Sequence, residues 1–169
     1  MKLYFSGFCL QNEQELFSPY LIQNDFTVSG FSYGAQKAFE YVLNTKNRVD
    51  TLQLFSPAYF NDKDKKYIRL QLMFFKKDPK LYSDNFLKNC TFNSDVSLDK
   101  YFTMGSFNQL EELLTYKWDK EKIQQVINKG VNIEVYLGSN DKIIDALSAK
   151  EFFLPYSTTY FIKQKGHIL

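Results

Sequence analysis

The sequence has little of the residue types on which several kinds of site depend. Its 169 residues contain two cysteines, Cys9 and Cys90, and a single histidine, His167. Two cysteines are too few for a disulfide framework, and with one histidine they do not supply the ligands of a structural zinc. We therefore expect no metal, and no motif in the sequence calls for a cofactor.

Long apolar stretches are absent as well. No run of about 18 apolar residues occurs, so no transmembrane helix is expected. The apolar run Leu3-Tyr4-Phe5 is too short for a secretory signal. We expect a cytoplasmic protein. A length of 169 residues is enough for one compact domain with a core and too short for two, so residues 1–169 are expected to form a single domain.

Short apolar segments alternate with helical patterns along the chain. β-Branched and apolar runs predict strands at residues 2–6, 25–29, 49–55, 131–137 and 158–162. Apolar residues at helical spacing predict helices at residues 13–22, 35–44, 123–128 and 143–153. Strands separated by helices indicate right-handed crossovers. We therefore predict an α/β fold with a mostly parallel sheet of about five strands and helices on both faces.

One long segment departs from this alternation. Residues 60–117 lie between the third and fourth predicted strands, are much longer than a crossover requires, and mix basic residues with Phe, Leu, Met and Tyr. We predict that they form an inserted lid or cap.

A pentapeptide of the form G-x-S-x-G lies between the second predicted strand and the helix that follows it. It reads Gly30-Phe31-Ser32-Tyr33-Gly34, and its setting is that of a nucleophile elbow. In such a turn the serine hydroxyl is exposed, the glycines avoid collisions where strand and helix approach, and the helix amides point at developing negative charge. We predict that Ser32 is a nucleophile; a plain strand-to-helix turn is the alternative.

A serine nucleophile needs a base that is itself held by a third group. His167 is the only imidazole, and it follows the last predicted strand, where a loop reaches the carboxyl ends of the parallel strands. An incidental histidine is the alternative. Asp141, just after the fourth strand, is the predicted acid; Asp145 is a second candidate, and Asp141 as a helix N-cap is the other interpretation. The order Ser, Asp, His is that of the hydrolase-fold triad.

With these residues in place, the chain resembles α/β-hydrolases. The matches are Gly7-Phe8 after the first strand, the elbow, Leu54-Phe55-Ser56-Pro57-Ala58, and residues 138–141 together with Gly166-His167. By that resemblance, the oxyanion hole would consist of the main-chain amides of Phe8 and Tyr33.

Within that superfamily the chain resembles the small esterases of bacterial biotin synthesis, which cleave the methyl ester of pimeloyl-acyl carrier protein. The similar run is Ser6-Gly7-Phe8-Cys9-Leu10-Gln11-Asn12-Glu13, where Ser6 and Phe8 stand in place of the His and Trp common in that family. Gly7 and Gly30 are also closer in sequence than in the family, which leaves no room for an extra strand and helix. The resemblance therefore implies a reduced sheet.

The first part of the predicted lid is basic. Residues 62–80 hold seven Lys or Arg against three Asp, whereas the whole chain has a formal net charge of only +2. Such a stretch could steer an acidic carrier protein, through Lys63, Lys65, Lys66, Arg69, Lys76 and Lys77. Ile68, Leu72 and Phe75 share one helical face and could line an acyl channel. A solvated helix that covers the core is the alternative.

These features together predict a serine carboxylesterase that hydrolyses the methyl ester of pimeloyl-acyl carrier protein through an acyl-enzyme on Ser32. A thioesterase, or an esterase of lipids or small esters, would use the same residues. A module that binds a carrier protein or ligand without turnover is the alternative of another class. Nucleic-acid binding is disfavoured by the small net charge and by the absence of a known motif.

Overall fold

The structure of the protein is a computed structural model that describes residues 3–169. Its centre is a five-stranded sheet in which the strands lie in chain order and every neighbouring pair is parallel. The strands are β1 (Leu3–Phe5), β2 (Thr27–Phe31), β3 (Thr51–Phe55), β4 (Asn132–Gly138) and β5 (Thr158–Ile162). Because all strands run the same way, their carboxyl ends meet at one edge of the sheet.

Within residues 3–169, six α-helices and two short 3-10 helices connect the strands. The 3-10 helices are Glu13–Phe17 and Asp99–Tyr101. The α-helices are α1 (Tyr33–Asn44), α2 (Lys65–Lys77), α3 (Pro79–Cys90), α4 (Phe107–Thr115), α5 (Lys120–Asn128) and α6 (Ala146–Phe153). Five of them begin with an N-cap side chain that accepts a main-chain hydrogen bond, and the Ser106 cap of α4 forms a reciprocal capping box with Gln109. No helix within residues 3–169 is long and apolar enough to cross a bilayer.

The sheet is buried on both faces, as a parallel sheet requires. On one face, strand residues such as Leu54 and Val135 pack against α1, α5 and α6, for example against Phe39 and Phe153. The other face is covered by the two 3-10 helices, the end of α3 and the last residues of the chain, which bury Phe17, Phe31, Phe55, Tyr136 and Ile168. Phe17 stacks on Phe55 with ring centroids 4.8 Å apart.

The α/β fold and the five parallel strands confirm the fold prediction, although some bounds differ. β5 matches its prediction, whereas β2 begins at Thr27 and continues to Phe31, beyond its predicted end at residue 29. The helix predicted at residues 13–22 is wrong, because only Glu13–Phe17 is helical and only as a 3-10 turn. Pro19 explains the early end, since it has no amide hydrogen and disfavours helix in the residue before it. Residue 2 of the first predicted strand lies outside the described residues.

Residues 60–117 contain α2, α3, the 3-10 helix Asp99–Tyr101 and α4. α2 packs against both α3 and α4. The segment also joins the loop after β1 through an antiparallel bridge between Leu10 and Phe102. Two main-chain hydrogen bonds flank that bridge, from the Gln11 amide to the Tyr101 carbonyl (2.8 Å) and from the Thr103 amide to the Cys9 carbonyl (3.0 Å). The predicted lid is thus tied to the loop that carries Phe8.

Candidate active site

Ser32 lies on a strained turn between β2 and α1. Its φ of 55° is in the left-handed region, which is unfavourable for a residue other than glycine. A Cβ at Gly30 would collide with the main chain of Gly34, and a Cβ at Gly34 would collide with the carbonyl of Phe5. The two glycines of the pentapeptide are therefore required by the close approach of β2, α1 and β1.

The structure brings Ser32, His167 and Asp141 into one hydrogen-bonded line. His167 Nε2 is 2.8 Å from Ser32 Oγ, and His167 Nδ1 is 2.6 Å from Asp141 Oδ2. The side chains of His167 and Asp141 are fully buried, and Ser32 is 1% exposed. An imidazole in this position can take the serine proton while the carboxylate stabilises the resulting imidazolium.

The two candidate acids have different surroundings. Asp141 follows β4; its Oδ1 accepts hydrogen bonds from the amides of Ile143 (2.7 Å) and Ile144 (3.1 Å), which leaves Oδ2 for His167. Asp141 therefore closes a turn, as the N-cap interpretation supposed, and also holds the imidazole. Asp145 caps α6 through the amides of Leu147 and Ser148. The hydrogen bond from Ser148 lowers the pKa of Asp145.

His167 is held by its main chain as well as by its ring. The hydroxyl of Ser56, the first residue after β3, donates to the His167 carbonyl at 2.7 Å. The next amide, that of Ile168, donates to the Cys90 carbonyl at 3.1 Å. The ring of Phe31 lies against the imidazole, with centroids 5.0 Å apart. No role is predicted for Ser56 from the sequence; the signal that indicates one is its place directly after β3, within the run Leu54-Phe55-Ser56-Pro57-Ala58.

The amides proposed for the oxyanion hole belong to Phe8, in the loop after β1, and to Tyr33, the first residue of α1. No hydrogen bond within residues 3–169 uses either amide. Tyr33 is also linked to α4, because its hydroxyl donates to Glu112 at 2.6 Å. The neighbouring Lys37 contacts the same carboxylate at 2.5 Å.

A cavity of about 630 Å³ opens between helices α2, α3 and α4 and the loop that carries Asp141. Its apolar lining includes Phe60, Leu110, Leu113 and Leu114, and Lys77 and Lys142 are among its polar lining residues. Phe86 of the lining packs edge-on against Phe8, with ring centroids 5.4 Å apart. The cavity therefore borders the loop that carries Asp141 and the loop that carries Phe8.

The expectation that Ile68, Leu72 and Phe75 line an acyl channel is wrong. The residues of α2 that line the cavity are Tyr67, Gln71 and Phe74. Phe75 is buried against Phe8 and Tyr82, while Ile68 and Leu72 pack against the core. The helical periodicity identifies the face of α2 that is buried; it does not distinguish a face that meets the core from one that meets a cavity.

The six cationic residues predicted to dock a carrier protein differ in their contacts. Lys63 forms an ion pair with Asp62 (2.8 Å), and Lys76 lies over the ring of Phe107 (4.5 Å). The other four are exposed and have no ion pair with any residue of the described part of the chain. They are Lys65, Lys66, Arg69 and Lys77.

Within residues 3–169, no cluster of three His, Cys, Asp or Glu side chains is arranged to hold a metal ion.

No protein-family model matches the sequence, and a comparison with curated protein sequences finds no significant match. Solved structures do match. The chain is similar to BioG from Haemophilus influenzae (TM-score 0.58, 13% identity, 99% of this chain and 88% of BioG) and to MenH from S. aureus (0.60, 13%, 98% and 85%). It is also similar to a carboxylesterase of Nitrososphaera gargenis (0.56, 17%), where 83% of the chain spans only 57% of that protein. The chain therefore has the α/β-hydrolase fold, in a reduced form with five strands.

Proposed function

We propose that the protein is a serine esterase in which Ser32 is the nucleophile, His167 the general base and Asp141 the acid that holds it. The observation that carries the proposal is the buried hydrogen-bonded line from Ser32 Oγ through the imidazole to Asp141 Oδ2. The strained turn at Ser32 supports it, because such strain is concentrated at functional sites. The alternative of a binding module without turnover does not explain why all three side chains are aligned.

The chemistry follows from these positions. Ser32 Oγ attacks the ester carbonyl carbon while His167 Nε2 takes the hydroxyl proton, and Asp141 stabilises the imidazolium. The carbonyl oxygen becomes an oxyanion, which the amides of Phe8 and Tyr33 stabilise. The imidazolium then gives its proton to the leaving alkoxide, and the alcohol departs from an acyl-enzyme. Water repeats the sequence with His167 as base and releases the acid.

As substrate we propose the methyl ester of pimeloyl-acyl carrier protein, with methanol as the leaving alcohol. The cavity supports an acyl substrate, because apolar side chains dominate its lining. The unpaired cations on α2 support an acidic, carrier-borne substrate. The resemblance to the biotin-synthesis esterases and the likeness to BioG over nearly its whole length point the same way. Carrier-bound substrates would make this a cytoplasmic activity.

Labelling with a fluorophosphonate tests the nucleophile. The wild-type protein is expected to label, and Ser32→Ala is expected not to. Ser29→Ala is the matched control, because Ser29 is also buried on β2 and its hydroxyl lies against Gln53, away from the triad. If the wild type does not label, or if Ser32→Ala labels as well as Ser29→Ala does, the serine-esterase proposal is wrong.

Substrate choice needs a separate comparison. Methyl-pimeloyl carrier protein and simple nitrophenyl esters would be offered to the same preparation. Release of the free acid would be monitored by mass spectrometry. We expect both to be hydrolysed, with the higher kcat/KM for the carrier-bound ester. Turnover of nitrophenyl esters alone would leave the esterase and remove the carrier-bound substrate. Preferential cleavage of the thioester bond that joins the acyl chain to the carrier protein would favour a thioesterase.

A further inference from the structure

The loop after β1 contains a buried acid that takes no part in the triad. Glu13, the first residue of the 3-10 helix Glu13–Phe17, is fully buried. Its Oε1 accepts hydrogen bonds from the main-chain amide of Gly7 at 2.8 Å and from the hydroxyl of Tyr4 at 3.1 Å. Its Oε2 is buried and has no hydrogen-bond partner in the described part of the chain. Burial of a half-satisfied carboxyl group is unfavourable, so packing alone does not explain an acid here.

Gly7 is the residue that Glu13 holds, and it directly precedes Phe8. A glycine has a wide choice of backbone conformations, and a larger residue is excluded because a Cβ would lie 2.7 Å from the ring of Phe31. Two hydrogen bonds restrict Gly7 instead. Its amide donates to Glu13, and its carbonyl accepts from the amide of Leu10 at 3.2 Å.

The carbonyl of Gly7 and the amide of Phe8 belong to one planar peptide group. Fixing Gly7 at both its amide and its carbonyl therefore fixes the direction in which the Phe8 N–H points. The amide of Asn12 also donates to Ser6 Oγ (3.1 Å), which adds a link across the same loop between the residues that precede Gly7 and Glu13.

We propose that Glu13 is a positioning residue, which holds the Gly7–Phe8 peptide in the orientation that presents the Phe8 amide to the oxyanion. The inference rests on the proposed function, and it adds a residue that acts through Gly7 without touching substrate. Removal of the Glu13 acceptor leaves the Gly7 amide unpaired and lets the peptide turn. Substrate binding in the cavity is unaffected by such a turn, whereas stabilisation of the oxyanion is lost.

The test compares Glu13→Met, which fills the same space without an acceptor, with Glu13→Gln, which keeps the acceptor Oε1. On a nitrophenyl ester, Glu13→Met is expected to lower kcat by roughly 10- to 100-fold, with KM within about twofold of wild type, because an oxyanion donor is misplaced. Glu13→Gln is expected to retain most of the wild-type kcat. Glu13→Asp, whose carboxylate is one methylene shorter, is expected to lie between them, and it carries the test if Glu13→Met does not fold.

Glu15→Ala is the matched control. Glu15 lies on the same 3-10 helix, but it is exposed and pairs with Lys100 and Tyr101, so its loss should leave kcat unchanged. The folded fraction of each variant is measured by circular dichroism. A folded Glu13→Met or Glu13→Asp protein with wild-type kcat overturns the inference, as does a Glu13→Gln protein no more active than Glu13→Met. If the wild type neither labels with fluorophosphonate nor hydrolyses esters, the proposed function itself has failed, and this inference fails with it.

Discussion

At the scale of single residues, a serine other than Ser32 holds the main chain of His167. Ser56 holds the His167 carbonyl at 2.7 Å, and Ser56 is itself in a left-handed conformation with φ 39°. Its hydroxyl and its backbone strain are therefore two separate properties of one residue. Loss of the hydroxyl leaves a buried carbonyl unpaired, at a cost of about 1–3 kcal/mol in the free energy of unfolding.

We predict that Ser56→Ala lowers kcat more than it raises KM, because the imidazole is no longer held in line with Ser32. Steady-state kinetics on a nitrophenyl ester, with thermal unfolding in parallel, provide the measurement. Ser56→Gly is the control that separates the two properties, since glycine relieves the strain without replacing the hydroxyl. Recovery of wild-type kcat in Ser56→Gly would show that strain, and not the hydrogen bond, is what matters.

The two cysteines give a second prediction at this scale. Burial raises the pKa of the Cys9 thiol and raises that of Cys90 further. Because the thiolate is the reactive form, both side chains should be inert in the folded protein. We expect a colorimetric disulfide reagent to react with neither thiol in native buffer at neutral pH and with both in guanidinium chloride. Rapid reaction of either thiol in the native protein would contradict this.

At the scale of elements, Asp141 and Asp145 lie four residues apart and do different things. Asp145 is the N-cap of α6, and its replacement by alanine is expected to cost about 1 kcal/mol in the free energy of unfolding without changing kcat. Asp141→Asn should abolish most of the activity, because it removes the partner of the imidazole. Equal losses of kcat in the two variants would refute this division.

The capping contribution of Asp145 also has a pH dependence. Its pKa in the folded protein is lowered below the ordinary value of 3.8. A lowered carboxyl pKa stabilises the fold above the unfolded pKa, and that stabilisation disappears as the pH falls through the folded value. The difference in unfolding free energy between wild type and Asp145→Ala should therefore be full at neutral pH and shrink below pH 3.8. Urea titrations at several pH values measure it; a difference that grows in acid would be inconsistent with the cap.

The elements also show which parts of the fold the sequence can predict. β5 and the turn at Ser32 were predicted well, because they depend on a short apolar run and on glycines that the backbone itself requires. The segments that cover the second face of the sheet were not predicted well, since a 3-10 helix and loops replace the expected helix at residues 13–22. The contacts of Glu13 and Ser56 depend on the approach of residues distant in sequence or on the course of a loop, and no periodicity encodes them.

At the scale of the whole molecule, the predicted lid is connected both to the loop that carries Phe8 and to the first residue of α1. Main-chain hydrogen bonds join it to the loop after β1, and Glu112 of α4 joins it to Tyr33, the residue after Ser32. The outer surface of α2 is different, because exposed Leu70 and Met73 lie there among unpaired cations. We therefore propose that this segment is fixed at its base and that the α2 surface is where a large substrate first makes contact.

Charge reversal on α2 tests this role. We predict that a variant with Lys65, Lys66 and Arg69 changed to Glu has a KM for methyl-pimeloyl carrier protein raised by about tenfold or more at low salt, because attraction of the acidic carrier becomes repulsion. Its KM for a nitrophenyl ester should stay unchanged. The effect should shrink as salt is added, since exposed charges are screened within about 8 Å at physiological ionic strength.

The matched control changes three exposed lysines outside α2 to Glu, and it alters the net charge by the same amount. Those residues are Lys46, Lys120 and Lys163. If attraction were a property of net charge, both variants would lose affinity for the carrier-bound ester equally. If α2 is the docking surface, only its own reversal raises KM, and kcat is kept because Ser32, His167 and Asp141 are untouched. An equal rise of KM for the small ester would instead mean that the α2 substitutions deform the cavity, and the docking surface would have to be sought elsewhere.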